Sequence, residues 1–114
     1  MRVLVCGSRT WEDEKRLFGI LDSHVEFVGE IDVLIHGDAP GAEALAGQWA
    51  AENGYQEEAV GEGDPPHLVI AFWDGRSTGT LEAIQRAVQS GIRVRIYSQW
   101  EEIDEFDYGT AFCL

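Results

Sequence analysis

The sequence predicts an α/β domain: a mostly parallel sheet of four or five strands flanked by helices, with a short acidic C-terminal helix and tail. Three observations predict it. Short apolar runs at residues 2–6, 31–35 and 67–72 read as strands buried on both faces, as in a parallel sheet. Stretches between them carry apolar residues at helical spacing. The runs end in Gly7, in His36-Gly37 and in Trp73-Asp74-Gly75, the loops that such an alternation gathers beyond the carboxyl ends of its strands.

In chain order, the first strand ends at Gly7. Thr10 and Asp13 have the spacing of a capping box, and Leu17, Ile20, Leu21, His24, Val25 and Val28 form one helical face that Gly29 ends. The second strand precedes the loop Asp38-Ala39-Pro40-Gly41, in which Asp38 suits an N-cap and Pro40 a first helical position. Ala42, Leu45, Ala46, Trp49 and Ala50 form the inner face of a small-residue helix that Asn53-Gly54 stops. Residues 55–60 read as a weak edge strand, and residues 61–66 as a loop. After the strand at 67–72 comes a glycine-rich turn. Leu81, Ile84, Ala87 and Val88 then give a helix stripe that Gly91 closes. Residues 92–97 alternate as an edge strand with one wet face. Ser98 and Glu101 make a capping box, and Trp100, Ile103 and Phe106 fall on one face of a short helix. The succession β-α-β-α-(β)-β-α-β is that of a Rossmann-like sheet with right-handed crossovers.

At 114 residues and 45% hydrophobic content, the chain suits one domain with one core: residues 1–97 as the core and 98–114 as an extension. No apolar run reaches membrane-span length and no secretory leader is seen, so a cytoplasmic protein is expected. The net charge of −13, from 21 acids and 8 bases, argues against nucleic acid and anionic membranes as partners, and makes any anion site local. Cys6 and Cys113 read as reduced thiols. His24, His36 and His67 have no metal-ligand spacing with them, so neither metal nor cofactor is expected.

The candidate site is the meeting of three loops, Gly7 to Trp11, His36 to Gly41 and Trp73 to Thr80. The third has bare amides at Gly75, Gly79 and Thr80 before a helix, where unpaired N–H groups and the helix dipole attract anions. Arg9 and Arg76 are the local cations for such an anion, or surface arginines paired to acids. Ser8 and Thr80 are hydroxyl donors or turn residues, and Asp38 is a ribose ligand or a cap. Trp73 is a base-stacking ring or a core-rim aromatic. Glu82 acts in N-glycosidic cleavage or is a first-turn acid.

At these loops, Val-Leu-Val-Cys-Gly-Ser-Arg-Thr-Trp11, His36-Gly-Asp-Ala-Pro-Gly-Ala-Glu43 and Ala71-Phe-Trp-Asp-Gly-Arg-Ser-Thr-Gly-Thr80 resemble the small YspA/YpsA-related branch of the SLOG superfamily, over about residues 1–97. The superfamily also holds the Lonely Guy phosphoribohydrolases, whose phosphate-gripping and acidic motif is similar to Gly75, Gly79, Thr80 and Glu82. The resemblance implies a Rossmann-like fold, a phage-type protein and a site for a nucleotide or nucleotide-derived molecule, to which Gly7 and Gly37 belong.

The departures bear on activity. The family's second motif reads His-Gly-Gly-Ala-Arg-Gly-Ala-Asp; here Asp38 replaces a glycine, Pro40 the arginine and Glu43 the aspartate. An acid is gained and a base lost, both unfavourable to phosphate. The family's Arg-Asn-x-x-Met helix has no counterpart in residues 55–66, which argues against catalysis by the family mechanism. With that helix gone, a full-length crossover of about 22 Å strains a six- or seven-residue loop reaching about 23 Å. Residues 55–60 are therefore expected to be displaced, or the sheet reduced to its second, first, fourth and fifth strands. One sheet face is left short of a helix, to be covered by residues 100–114 or by a second subunit as a homodimer. Three functions stay open: a nucleotide-binding sensor or sponge, a residual phosphoribohydrolase using Glu82, and an acidic module that binds a host protein.

Overall fold

The computed structural model describes residues 1–61 and 63–98 and the backbone of residues 106–107. Its strands are β1 (Arg2–Gly7), β2 (Val33–His36), β3 (Gln56–Ala59), β4 (Leu68–Phe72), β5 (Arg93–Tyr97) and β6 (Phe106–Asp107), and its helices α1 (Glu14–Phe27), α2 (Ala42–Asn53) and α3 (Thr78–Gln89). Among the described residues the sheet order is β3-β2-β1-β4-β5-β6. The first five strands are mutually parallel, and β6 pairs antiparallel with β5. No described helix is long and apolar enough to cross a membrane.

Alternation of side chains divides the core into two layers. Val3, Val5, Leu34, Leu68, Ile70 and Phe72 point to one face, where α1 and α2 bury Leu17, Leu21, Ala42, Ala46, Trp49 and Ala50 against them. The alanines of α2 bring its axis close to the sheet. A Cβ on Gly7 would stand 2.5 Å from Ala42 Cβ and 2.6 Å from the Phe72 carbonyl oxygen, so only glycine fits there. Trp49 links the two helices, its Nε1 donating to Asp22 Oδ1 at 2.9 Å while its ring stacks on Tyr55. The opposite face carries Cys6, Val69, Ala71, Val94 and Ile96, and α3 covers it with Ile84 and Ala87.

The third strand occupies its ordinary place, contrary to the expectation of a displaced segment or a shortened sheet. The register explains why. Leu68 pairs with Val3, Val3 with Leu34, and Leu34 with Glu57, so β4 begins level with a residue only two positions before the end of β3. The chain returns about 7 Å along the strands, not a full strand length, while moving about 14 Å sideways. That sum, about 16 Å, is well within the roughly 26 Å reach of the eight residues 60–67.

Arg2 holds this crossover. Its Nη2 donates to Glu58 Oε1 at 2.7 Å and to the Asp64 carbonyl oxygen at 2.8 Å. Its backbone N–H donates to His67 Nδ1, and its carbonyl accepts the His67 N–H. Register places Arg2, Val33, Ile35 and Glu58 on the face opposite α2. Val33 and Ile35 are buried there although α3 lies over β1, β4 and β5. The Arg2–Glu58 bridge spans β2 between its two neighbours and takes the place of a covering helix.

Several local expectations are corrected. Asp13 caps α1, accepting the Arg16 N–H at 3.0 Å, in place of Thr10. Buried Trp11 holds its loop inward, with Nε1 donating to the Asp13 carbonyl, which keeps residues 10–12 outside the helix. Gly41, not Asp38, is the N-cap of α2, and Pro40 precedes the helix. Phe106 lies in a strand rather than on a helix, because the outer edge of β5 offers its unpaired backbone groups to β6. The rest of the expected C-terminal helix and tail, with Cys113, lies outside the described residues. Cys6 is a free, buried thiol.

Candidate functional site

The carboxyl ends of β1, β2 and β4 bring the three loops together, and Ser8 is the knot between them. Its N–H donates to the Phe72 carbonyl, and its Oγ accepts the Asp74 N–H at 2.9 Å. Its carbonyl accepts the N–H of both Trp11 and Ala42 at 3.2 Å. Ser8 is therefore buried and fully engaged within the fold.

This knot separates the fates of two helix N-termini. The first amide of α2 is occupied by the Ser8 carbonyl. Gly41 sits at φ +81°, where a Cβ would stand 2.4 and 2.5 Å from the carbonyl oxygens of Ser8 and Arg9. The neighbouring Gly37 N–H is likewise taken, by Glu43 Oε1 at 3.0 Å. The second loop thus has two of its amides, those of Gly37 and Ala42, bonded within the fold, and a carboxylate in front. At α3, Ser77 makes no side-chain cap hydrogen bond, and the first intrahelical bond runs from Leu81 N–H to the Ser77 carbonyl. The amides of Thr78, Gly79 and Thr80 precede that bond and have no intrahelical acceptor.

The turn before α3 is held by its own hydrogen bonds. Asp74 Oδ1 accepts the N–H groups of Arg76 at 2.8 Å and Ser77 at 2.7 Å, an Asx turn. Burial of Asp74 works against its charge, but the Arg76 and Ser77 amides and the Ser8 hydroxyl outweigh it and hold the carboxyl below its ordinary range. Gly75 takes φ +82°, and Trp73 closes the turn by donating Nε1–H to the Ser77 carbonyl at 3.0 Å.

Beside α3 runs a groove of about 450 Å³. Gly7, Arg9, Ala39, Glu43, Ser77, Gly79 and Thr80 surround its upper end, and Leu4, Cys6 and Val69 form an apolar floor. Val60 and Pro66 of the crossover form the far wall, and Ala83, Arg86, Ala87, Ser90 and Ile92 line the lower part. This is the helix-poor part of the sheet face: Arg2 and the crossover cover β2, while the strip between them and α3 stays open. Burial pushes the Cys6 thiol up to about 12, with the Glu43 carboxylate adding to the effect, so the floor presents a neutral, unreactive sulfur.

Of the residues singled out in the sequence, the structure brings Gly7, Arg9, Gly79 and Thr80 to the groove. Gly37, Trp73 and Gly75 support the loops behind it. Asp38 and Arg76 are exposed and do not line it. Glu82 is exposed as well and does not line it; the carboxylate that does is Glu43. Sequence reasoning missed the lower half altogether. Its signal was the spacing Gly79, Ala83, Arg86 and Ser90, three small residues and an arginine on a helical stripe beside the apolar one.

The profile of the YspA, cpYpsA-related SLOG family matches residues 1–61, which run from β1 through β3. The chain belongs to that family. As a phage-type member it is similar to the Gene 61 protein of Mycobacterium phage D29, with 31% identity over 84 residues. That match covers 74% of this chain and 66% of the phage protein, so the chain spans a little under two thirds of its relative. No solved structure matches the chain significantly.

Proposed function

We propose that this SLOG protein binds a nucleotide or nucleotide-derived ligand in the groove along α3, and works as a sensor or a sponge rather than as a hydrolase. The uncapped N-terminus of α3 carries the reading. It opens beside Arg9 onto the groove, whereas at α2 the first amide is taken by the Ser8 carbonyl and the Glu43 carboxylate stands in the first turn. A phosphate there takes the free amides of the first turn and the Arg9 guanidinium. Glu43, held by the Gly37 amide, keeps phosphate away from the second loop and accepts hydrogen bonds from ligand hydroxyl or amino groups. Leu4, Cys6 and Val69 offer an apolar surface to a base.

Isothermal titration with AMP tests this on the wild type and on Gly79→Leu. A Cβ at Gly79 meets nothing within 4 Å, and leucine favours helix over glycine by up to about 1 kcal/mol. The variant is expected to keep or gain stability while losing AMP binding. Undiminished AMP binding by Gly79→Leu would place the ligand elsewhere.

A further inference from the structure

The groove continues below the anion site, and this inference rests on the nucleotide reading above. Gly79, Ala83, Arg86 and Ser90 all line it and stand on one stripe of α3. At 1.5 Å per residue, Arg86 lies about 10 Å along the helix from Gly79. The walls between are apolar or small: Leu4, Val69 and Ala87. The groove therefore has a cation at each end, Arg9 above, on the same end as the Glu43 carboxylate that the Gly37 amide holds, and Arg86 below, with an uncharged middle.

Both guanidiniums are without an ion pair among the described residues, in a chain holding 21 acids against 8 bases. Arg2, by contrast, is bound on every side. Glu82 stands four residues before Arg86, the spacing of a favourable helix pair, yet no bridge joins them. Arg86 thus keeps its donors available at the far end of a cleft whose near end is suited to phosphate.

We propose that the ligand is a nucleotide with two separated phosphates, one at the first turn of α3 and the second at Arg86. A mononucleotide leaves the lower cation unused. A contiguous diphosphate keeps both charges at the upper end. A nucleoside carrying phosphates on different ribose carbons, with its base on the apolar floor, uses both, since an arginine side chain is long and flexible enough to meet a phosphate several ångströms from its own Cα.

The test is titration calorimetry with three probes, AMP, ADP and adenosine 3′,5′-bisphosphate, on the wild type, Arg9→Gln and Arg86→Gln. The bisphosphate is expected to bind the wild type about tenfold more tightly than AMP or ADP, as one added charge-assisted phosphate contact allows. Arg86→Gln is expected to abolish that advantage, and Arg9→Gln to weaken all three probes. Equal affinities for AMP and the bisphosphate, an ADP affinity matching the bisphosphate, or an advantage that survives Arg86→Gln each overturn this inference while leaving the nucleotide reading intact. No heat of binding from any probe at millimolar concentration overturns the reading itself, and this inference with it.

Discussion

Truncating Phe72 to alanine probes the joint on which the loops hang. Phe72 is fully buried at the end of β4. Its ring meets Trp11 edge-on at 5.2 Å and stacks on Tyr97 at 5.8 Å. One side chain therefore ties the loop after β1, the last residue of β4 and the end of β5. Deleting a buried phenylalanine ring costs about 3–5 kcal/mol in lost burial and residual cavity. The aromatic pairs add about 0.5–1.5 kcal/mol each, part of which the first figure already contains. An expected loss of about 4 kcal/mol takes much of the 5–15 kcal/mol, roughly, that holds a domain of this size. The melting temperature should fall by about 15 °C, at about 4 °C per kcal/mol. Urea denaturation followed by far-ultraviolet circular dichroism measures it, and an unchanged slope shows that the same surface unfolds. Should the alanine variant fail to fold, Phe72→Leu provides the measurement, with an expected loss of about 1 kcal/mol. A loss below about 1 kcal/mol for Phe72→Ala would refute the idea that this ring bears the joint.

Three further perturbations have defined outcomes. Gly41→Ala drives a Cβ against the Ser8 and Arg9 carbonyls at a left-handed backbone position, so it should cost at least about 1–2 kcal/mol by thermal denaturation; a neutral result would contradict the close packing of the two loops. Arg2→Gln should release the crossover, seen as faster hydrogen exchange of the amides in β3 and of His67 with little change in α1; unchanged exchange would remove the clasp from the account. The histidines set opposite pH slopes. At His36, burial opposes the charge, but the Gly37 carbonyl and the Glu57 carboxylate both accept from the ring and raise its pKa above 6.5. Its contribution is full below pH 6.5 and is lost as pH rises through the raised value. At His24, burial, then Arg95 and the chain's amino terminus, lower the pKa, so stability falls as pH drops below 6.5. His36→Gln should flatten the alkaline side. His24→Leu should flatten the acid side and raise stability by about 1 kcal/mol, because neither His24 ring nitrogen has a hydrogen-bond partner among the described residues. Denaturation midpoints from pH 5 to pH 8 that keep both slopes in the variants would contradict the assignment.

Most of the fold was legible because its signals are local. Runs such as Val3 to Cys6 and Leu68 to Phe72 are apolar throughout, and helix stripes such as Leu17, Leu21 and His24 repeat at the helical period. The errors arose where a distant group decided the outcome. Thr10 lost the cap to Asp13 because Trp11 is drawn under Phe72, 61 positions further on. Asp38 lost it to Gly41 because the Ser8 carbonyl, in another loop, reaches Ala42. The position of β3 depended on a register that shortens the return path, which composition does not encode. The site was legible to the same degree. Glycine and arginine positions next to strand ends were visible, whereas Glu43 and the lower groove exist only because α3 packs beside an uncovered strip of sheet.

The strand order has a consequence for synthesis. β1 is made first yet sits at the centre, between β2 and β4. As the chain leaves the ribosome, residues 1–61 contain everything needed to pair β1 with β2 and β2 with β3, but one side of β1 stays bare until residue 72 is out. At about 5–20 residues per second, that gap lasts from under a second to a few seconds. An apolar strand with open backbone groups invites pairing with another nascent copy. The short crossover keeps the wait brief, since a longer connection between β3 and β4 would delay the strand that shields it.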